Sequence, residues 1–354
     1  MTFPVETFNL LNDGNGDYKD KENAEFCAEM LAEGHSFFIY QSDSPDALAS
    51  CCRLRNALEN NEFSYTLGAG GIETGSKGVI TLNLNRIVQD WKNEGCKVTL
   101  KERITEITER VHKYLSAFND IVWDYYNNGM LQIYNEGFIN LDKQFLTIGI
   151  NGFVEGAEFL GYKISPDDEN YKQYAIDILT TIKDLNKRDR QPHCKFNTEF
   201  VPAESLGVKN AKWDKEDGYW VPRDVYNSYF YIVEDTHTTP LEKFELMGKD
   251  FTGCLDGGSA LHMNLDEHLS KAQYEMLMKV AVKDGCNYFT FNIPNTVCND
   301  CGHISKQNLK ACPKCGSTNL DYLTRVIGYL KRVSNFSEAR QREAKRRYYA
   351  DNIQ

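Results

Sequence analysis

Two CxxC knuckles near the C-terminus constrain this chain more than any other feature. Cys298-Asn-Asp-Cys301-Gly302 and Cys312-Pro-Lys-Cys315-Gly316 stand with ten residues between Cys301 and Cys312. Each knuckle presents two thiolates to one tetrahedral ion, and the glycine after the second cysteine lets backbone N–H groups turn toward sulfur. Four thiolates leave no open coordination position. The spacing therefore predicts a structural zinc site at Cys298, Cys301, Cys312 and Cys315, with a redox-active dithiol pair as the competing reading. A zinc ribbon does not by itself name a function, because nucleic-acid-binding proteins also use it.

Charge weighs against that use. The 354 residues carry a formal net charge of -11, and polyphosphate backbones are bound by an excess of Lys and Arg. The exception is the tail from Arg325 to Gln354, where eight Lys/Arg against three Asp/Glu give +5 and leave -16 on the rest. That tail reads as a solvated helix face, or as a dock for an acidic partner or nucleotide phosphates. With 41% hydrophobic residues the chain is expected to bury a sizeable core. No run approaches the roughly 18 apolar residues that span a bilayer, and the first residues have neither a basic nor an apolar leader pattern. Together with 11 cysteines at mostly irregular spacing, this predicts a cytoplasmic protein in a reducing compartment, with no membrane and no direct nucleic-acid partner.

The remaining pattern is α/β. Ile104, Ile107, Val111, Leu115, Phe118, Val122 and Tyr125 recur at helical steps after a Thr99/Glu102 capping box and before Gly129. A second helix is expected to open at Ser165-Pro166 and run through Tyr171, Ala175, Ile178, Ile182 and Leu185. A third is expected from Asp266 to Lys283, stopped by Gly285. Short apolar runs at 78–84, 145–149, 196–201 and 287–293 read as strands, and their alternation with helices favours parallel pairing. The Gly-rich stretch 67–78 breaks this alternation, as a functional loop does.

Downstream of the knuckles come Arg325-Val-Ile-Gly328-Tyr-Leu330 and then Asn335-Phe336. Upstream lies Ala49-Ser-Cys51-Cys52-Arg-Leu-Arg55, followed by the Gly-rich stretch and Gly78-Val-Ile-Thr-Leu-Asn83. Together these resemble the C-terminal half of an anaerobic (class III) ribonucleoside-triphosphate reductase, nearest the compact phage-type members. The likeness runs on through 196–205 and Asp256-Gly257-Gly258-Ser259-Ala-Leu-His262, and so covers essentially the whole chain.

The resemblance implies a stored radical on Gly328 and a transient thiyl on Cys52, with Cys51 as the adjacent alternative. It implies anaerobic reduction of ribonucleoside triphosphates to 2′-deoxyribonucleotides, with formate or a thioredoxin-like dithiol as reductant. An activase using S-adenosylmethionine and an iron–sulfur cluster would install the radical. The implied fold is the C-terminal half of a ten-stranded α/β barrel over 1–293, a zinc ribbon at 294–320, and a radical loop with a basic tail at 321–354. Asn83, Gly257, Gly258 and Ser259 are the expected substrate-binding residues; the Asp-Gly-Gly-Ser run reads equally as a phosphate cradle or a tight turn. His262 reads as a core histidine before a catalyst, and Glu204 as a loop-ordering residue before a substrate contact.

Members of that family carry a comparably long N-terminal half, whereas here Met1 precedes a strand resembling one from mid-family. The expected partners are therefore an N-terminal half-chain, the activase, and a second copy of the completed subunit in a homodimer. The competing classes are a pyruvate formate-lyase-like glycyl radical enzyme, which lacks the ribbon, and a non-enzymatic zinc-ribbon binding protein.

Overall fold

A computed structural model of the chain describes residues 6–43, 75–201, 205–256, 258–326, 328 and 330–351, with the backbone alone of 48–49 and 55–56. Cys51, Cys52, Glu204, Gly257 and most of the Gly-rich stretch lie outside the described residues.

The chain opens with β1 (Thr7–Leu11), α1 (Lys21–Ala32) and β2 (Phe38–Ser42), a parallel crossover in which Thr7 pairs with Phe38. Ala24, Cys27, Ala28 and Leu31 recur at helical spacing and bury one face of α1. A short antiparallel ribbon of β3 (Leu48–Ala49) and β4 (Arg55–Asn56) brackets the cysteine pair in sequence. β5 (Gly75–Asn83), β6 (Gln144–Asn151) and β7 (Phe196–Phe200) then form a parallel sheet in the order β5-β6-β7. Their connections are helical: α2 (Leu84–Asn93), α3 (Leu100–Asn127), α4 (Phe153–Phe159), α5 (Glu169–Ala175) and α6 (Thr181–Arg188).

After α7 (Leu206–Glu216) and α8 (Pro240–Leu246) come β8 (Leu261–Asn264), α9 (Lys271–Asp284) and β9 (Tyr288–Asn292). These strands complete a second sheet, β1-β2-β9-β8, in which only the β2–β9 pairing is antiparallel. Strands β2, β7, β8 and β9 are buried almost throughout, as strands covered on both faces must be. One apolar cluster, including Leu146, Ile148, Phe153, Phe230, Phe244, Met263 and Phe289, runs through both sheets and their helices. The architecture is the expected mixed α/β with parallel pairing. Among the described residues its strands form two open sheets and not a closed barrel.

Three expectations need adjustment. The second helix starts at Glu169, because Asp168 and not Ser165 accepts the cap hydrogen bond, from Tyr171 N–H; Ser165 is spent on a turn to Asp167 N–H. A single π-helical turn, Ile176–Thr180, then separates α5 from α6. α9 starts at Lys271 under a Ser270/Gln273 capping box, because Asp266 N–H is already bound to Ala350 O. The capping box and span of α3 agree with the sequence, but its apolar stripe is buried only as far as Leu115. Tyr114, Phe118, Ile121 and Tyr125 form an exposed apolar face at i, i+4, i+7 and i+11, near the open β5 edge where Val79 is also exposed. No helix among the described residues is long and apolar enough to cross a membrane.

Candidate functional site

The candidate metal centre is built on a small antiparallel sheet. β10 (Asn295–Cys298) pairs with β11 (Ile304–Ser305) on one side and with β12 (Leu320–Thr324) on the other, and β12 pairs with β13 (Lys331–Arg332). The Sγ atoms of Cys298, Cys301, Cys312 and Cys315 all lie within 4.8 Å of one another, with Cys298–Cys315 and Cys301–Cys312 at 3.6 Å. A Zn–S bond of about 2.3 Å places tetrahedral sulfurs roughly 3.8 Å apart, so the cluster fits such an ion. Each knuckle closes on a glycine in the left-handed region, Gly302 at φ 71° and Gly316 at φ 72°, whose N–H returns to the carbonyl of Cys298 or Cys312. Burial disfavours the Cys312 thiolate, but N–H donation from Cys315 and Lys314 and the neighbouring thiols outweigh it and bring the thiol down to about 7. Every described cysteine is free of disulfide, which is the state that ligation requires.

The same sheet presents Gly328. The connection from β12 to β13 is residues 325–330, a hairpin closed by the Thr324–Lys331 pair, and Gly328 lies half-buried in it; Ile327 and Tyr329 are outside the described residues. A Cβ placed on Gly328 meets no described atom within 4 Å. The approach to the glycine is held by side chains from elsewhere. Asn292, the last residue of β9, accepts from Arg325 N–H at 3.0 Å and donates to Arg325 O at 3.2 Å, imitating a strand partner. Its amide also donates to Asn264 Oδ1 at 2.7 Å, and Thr324 Oγ1 donates to its oxygen at 3.1 Å.

The tail supplies a second grip. α10 (Glu338–Arg346) leads to Arg347, which donates to Arg325 O at 3.0 Å and to Val326 O at 2.9 Å. Arg347 and Arg340 both pair with buried Glu343. Burial opposes the Glu343 carboxylate, yet the two guanidinium groups outweigh it and hold the carboxyl below its ordinary range. Arg342 reaches Asp224 and Arg346 reaches Glu234, each at 3.2 Å. Much of the basic tail's charge is thus paired with acidic groups of its own chain, while Arg342, Lys345 and Arg346 stay exposed on a solvated face. Arg347→Met should cost about 3–5 kcal/mol in urea unfolding, since it strands Glu343 in the interior with one partner fewer. A loss under 1 kcal/mol would show the grip to be incidental.

The other expected site residues are dispersed over the sheet ends. Asn83 terminates β5, caps α2 through Arg86 N–H at 3.3 Å, and donates to buried Asp214 at 2.9 and 3.0 Å. Gly258 O accepts from Phe200 N–H at 3.2 Å, and Asp256 accepts from Thr198 N–H at 2.6 Å, so this segment runs along the free edge of β7 toward β8. Ser259 Oγ and Asn264 Nδ2 are buried with no hydrogen-bond partner among the described residues. His262 is fully buried, with Nδ1 at 3.1 Å from Tyr229 Oη. Cys52, Cys51 and Gly257 fall outside the described residues, as does Glu204.

Asn292 and Arg347 are the residues that the sequence reading missed. A signal for the first existed: β5, β6, β8 and β9 all end in asparagine, and they pair in register as Asn83 with Asn151 and Asn264 with Asn292. Asparagine is a poor strand former, so its return at the end of four apolar runs marks side chains with polar work to do.

Comparison with known proteins agrees with this arrangement. No curated protein matches the chain. Among solved structures it is similar to an anaerobic ribonucleotide reductase at a TM-score of 0.84 and 28% identity, over 100% of this chain and 56% of that one. It is similar also to the anaerobic ribonucleotide reductase of Thermotoga maritima in complex with dATP and CTP, at a TM-score of 0.79 and 29% identity, over 97% of this chain and 56% of that one. The chain therefore spans about half the length of these structures. The family model for anaerobic ribonucleoside-triphosphate reductase matches residues 1–349. With that family model matched over nearly its whole length and solved structures of such reductases similar across it, the chain belongs to the anaerobic ribonucleoside-triphosphate reductase family.

Proposed function

We propose that the chain supplies the radical-bearing part of an enzyme that reduces ribonucleoside triphosphates to 2′-deoxyribonucleoside triphosphates without oxygen. The observation that carries this reading is the hairpin, which in a member of this family presents Gly328 with no described atom within 4 Å of a Cβ built on it. A Cα radical is stabilised between an N–H donor and a carbonyl acceptor, and only glycine lacks a side chain that would twist that centre or block close approach.

In this reading Gly328 loses one hydrogen atom to an activase, whose S-adenosylmethionine and iron–sulfur cluster supply radical chemistry that side chains lack. Gly328 then takes the thiol hydrogen of Cys52, and the resulting thiyl takes the 3′-hydrogen of the substrate ribose. The 2′-hydroxyl leaves as water after protonation. Formate or a thioredoxin-like dithiol supplies the two electrons, and Cys52 returns the 3′-hydrogen, restoring the radical on Gly328. Zinc at the four cysteines is structural. Ser259 Oγ, buried and unpartnered among the described residues, supports a polar ligand near Gly257, Gly258 and Ser259. Asn83 is the further substrate contact we propose, from its place at a strand end.

We assign the rest of the barrel to a further segment of the reductase that covers the open β5 edge and the Tyr114, Phe118, Ile121 and Tyr125 face. The completed subunit would act as a homodimer in the cytoplasm. The reading is tested by combining the chain with that segment, the activase and CTP under anaerobic conditions. Cys52→Ser should still accept a radical at Gly328 yet release no deoxyribonucleotide, because a serine O–H bond is too strong for a glycyl radical to break. Full turnover by Cys52→Ser beside an inactive Cys51→Ser would move the thiyl by one residue. Absence of any deoxyribonucleotide from the unmodified system would reject the reading.

A further inference from the structure

Arg325 is buried to 4% exposure, and no described carboxylate pairs with it. The other buried arginines differ: Arg223 pairs with Glu155 and Glu158, and Arg340 and Arg347 pair with Glu343. Buried charges are ordinarily paired, because desolvation costs more than neutral hydrogen bonds return. All the described hydrogen-bond acceptors of Arg325 are neutral. Nη1 donates to Gly328 O at 2.9 Å, Nε donates to Ser36 Oγ at 3.2 Å, and Nη2 donates to Ser36 O at 3.2 Å. The guanidinium also lies over the Phe38 ring, 5.0 Å from its centroid. Its main chain is held independently by Asn292 and Arg347.

A cation held in this way has one acceptor whose charge would change during the proposed reaction. In a Cα radical the unpaired electron is shared between the amide nitrogen and the carbonyl, and the polar resonance form puts negative charge on the carbonyl oxygen. We propose that Arg325 tunes the Gly328 radical: its guanidinium, fixed by Ser36 and Phe38, meets the negative charge that Gly328 O gains when the radical forms. The proposal rests on the reading of Gly328 as the radical site. A preorganised donor aimed at developing charge in a dry site stabilises that state more than the ground state. It also draws spin away from Cα. Burial lowers the guanidinium to about 10, against the opposing pull of Tyr288 and Glu6, so the group is charged at neutral pH.

The test is spectroscopic and uses the completed, activated reductase. Unmodified protein carrying guanidino-15N arginine should show a nitrogen-15 coupling to the glycyl radical in electron–nuclear double resonance. Arg325→Gln should remove that coupling and widen the α-proton doublet, as spin returns to Cα. It should also shorten the anaerobic lifetime of the radical roughly tenfold, the worth of one charge-assisted hydrogen bond. Zinc content serves as the control for folding. An absent nitrogen-15 coupling in the unmodified protein overturns the proposal whether or not the variant folds, as does an unchanged doublet in a zinc-replete Arg325→Gln. A missing doublet in the unmodified protein, or one that survives Gly328→Ala, rejects instead the radical assignment beneath it.

Discussion

Gly328→Ala is expected to abolish the radical signal and deoxyribonucleotide formation together, while stability stays within about 1 kcal/mol of the parent protein. Function and fold separate at this position for a geometric reason. The added methyl meets no described atom within 4 Å, and the Gly328 backbone is outside the left-handed region, so alanine adopts it without strain. What the methyl changes is the electronic state: it hinders the planar arrangement by which N–H and C=O share the unpaired electron. Electron paramagnetic resonance after activase treatment, turnover, and urea unfolding measure the three consequences. A glycyl-type doublet surviving in the alanine variant would place the radical on another residue.

The double variant Cys298→Ser/Cys312→Ser should retain almost no zinc and should lose the order of β10 to β13 with it. It removes one thiolate from each knuckle and one from each close sulfur pair, leaving two sulfurs for an ion that prefers four. The effect should reach Gly328 because β12 and β13 are both strands of this sheet and the two arms of the glycine hairpin. A lowered radical yield should therefore accompany the loss of metal, and single Cys312→Ser should lower zinc content in the same direction. Zinc measured at one ion per chain in the double variant would defeat the assignment.

The four-cysteine cluster was readable because its pattern is local: two short motifs suffice, whatever surrounds them. Long helices were readable where their stripe meets a core, as in α3 up to Leu115, and misleading where the helix runs past it, as at Phe118 and Tyr125. The second helix was placed too early because Ser165 and Asp168 both satisfy the rules for a cap, and only the tertiary position of Tyr171 chooses between them. Sheet order was beyond reach, since β2 pairs with β9 across almost 250 residues and no local pattern encodes that meeting. The segment around Gly328 stood out as a motif through its resemblance to a family. Its supports did not, because Asn292 lies 33 residues and Arg347 22 residues from Arg325 in sequence.

That division of labour bears on how such a loop tolerates change. Within the turn itself, residues 325–330, Asn292 and Arg347 bond main-chain atoms, the N–H and O of Arg325 and the O of Val326. A grip of this kind is blind to side chains. Placement of the turn is inherited from residues outside it, so substitutions within the turn can alter its reactivity without displacing it. Redesign of the loop for a different radical lifetime could then proceed one side chain at a time on a track that the rest of the protein maintains.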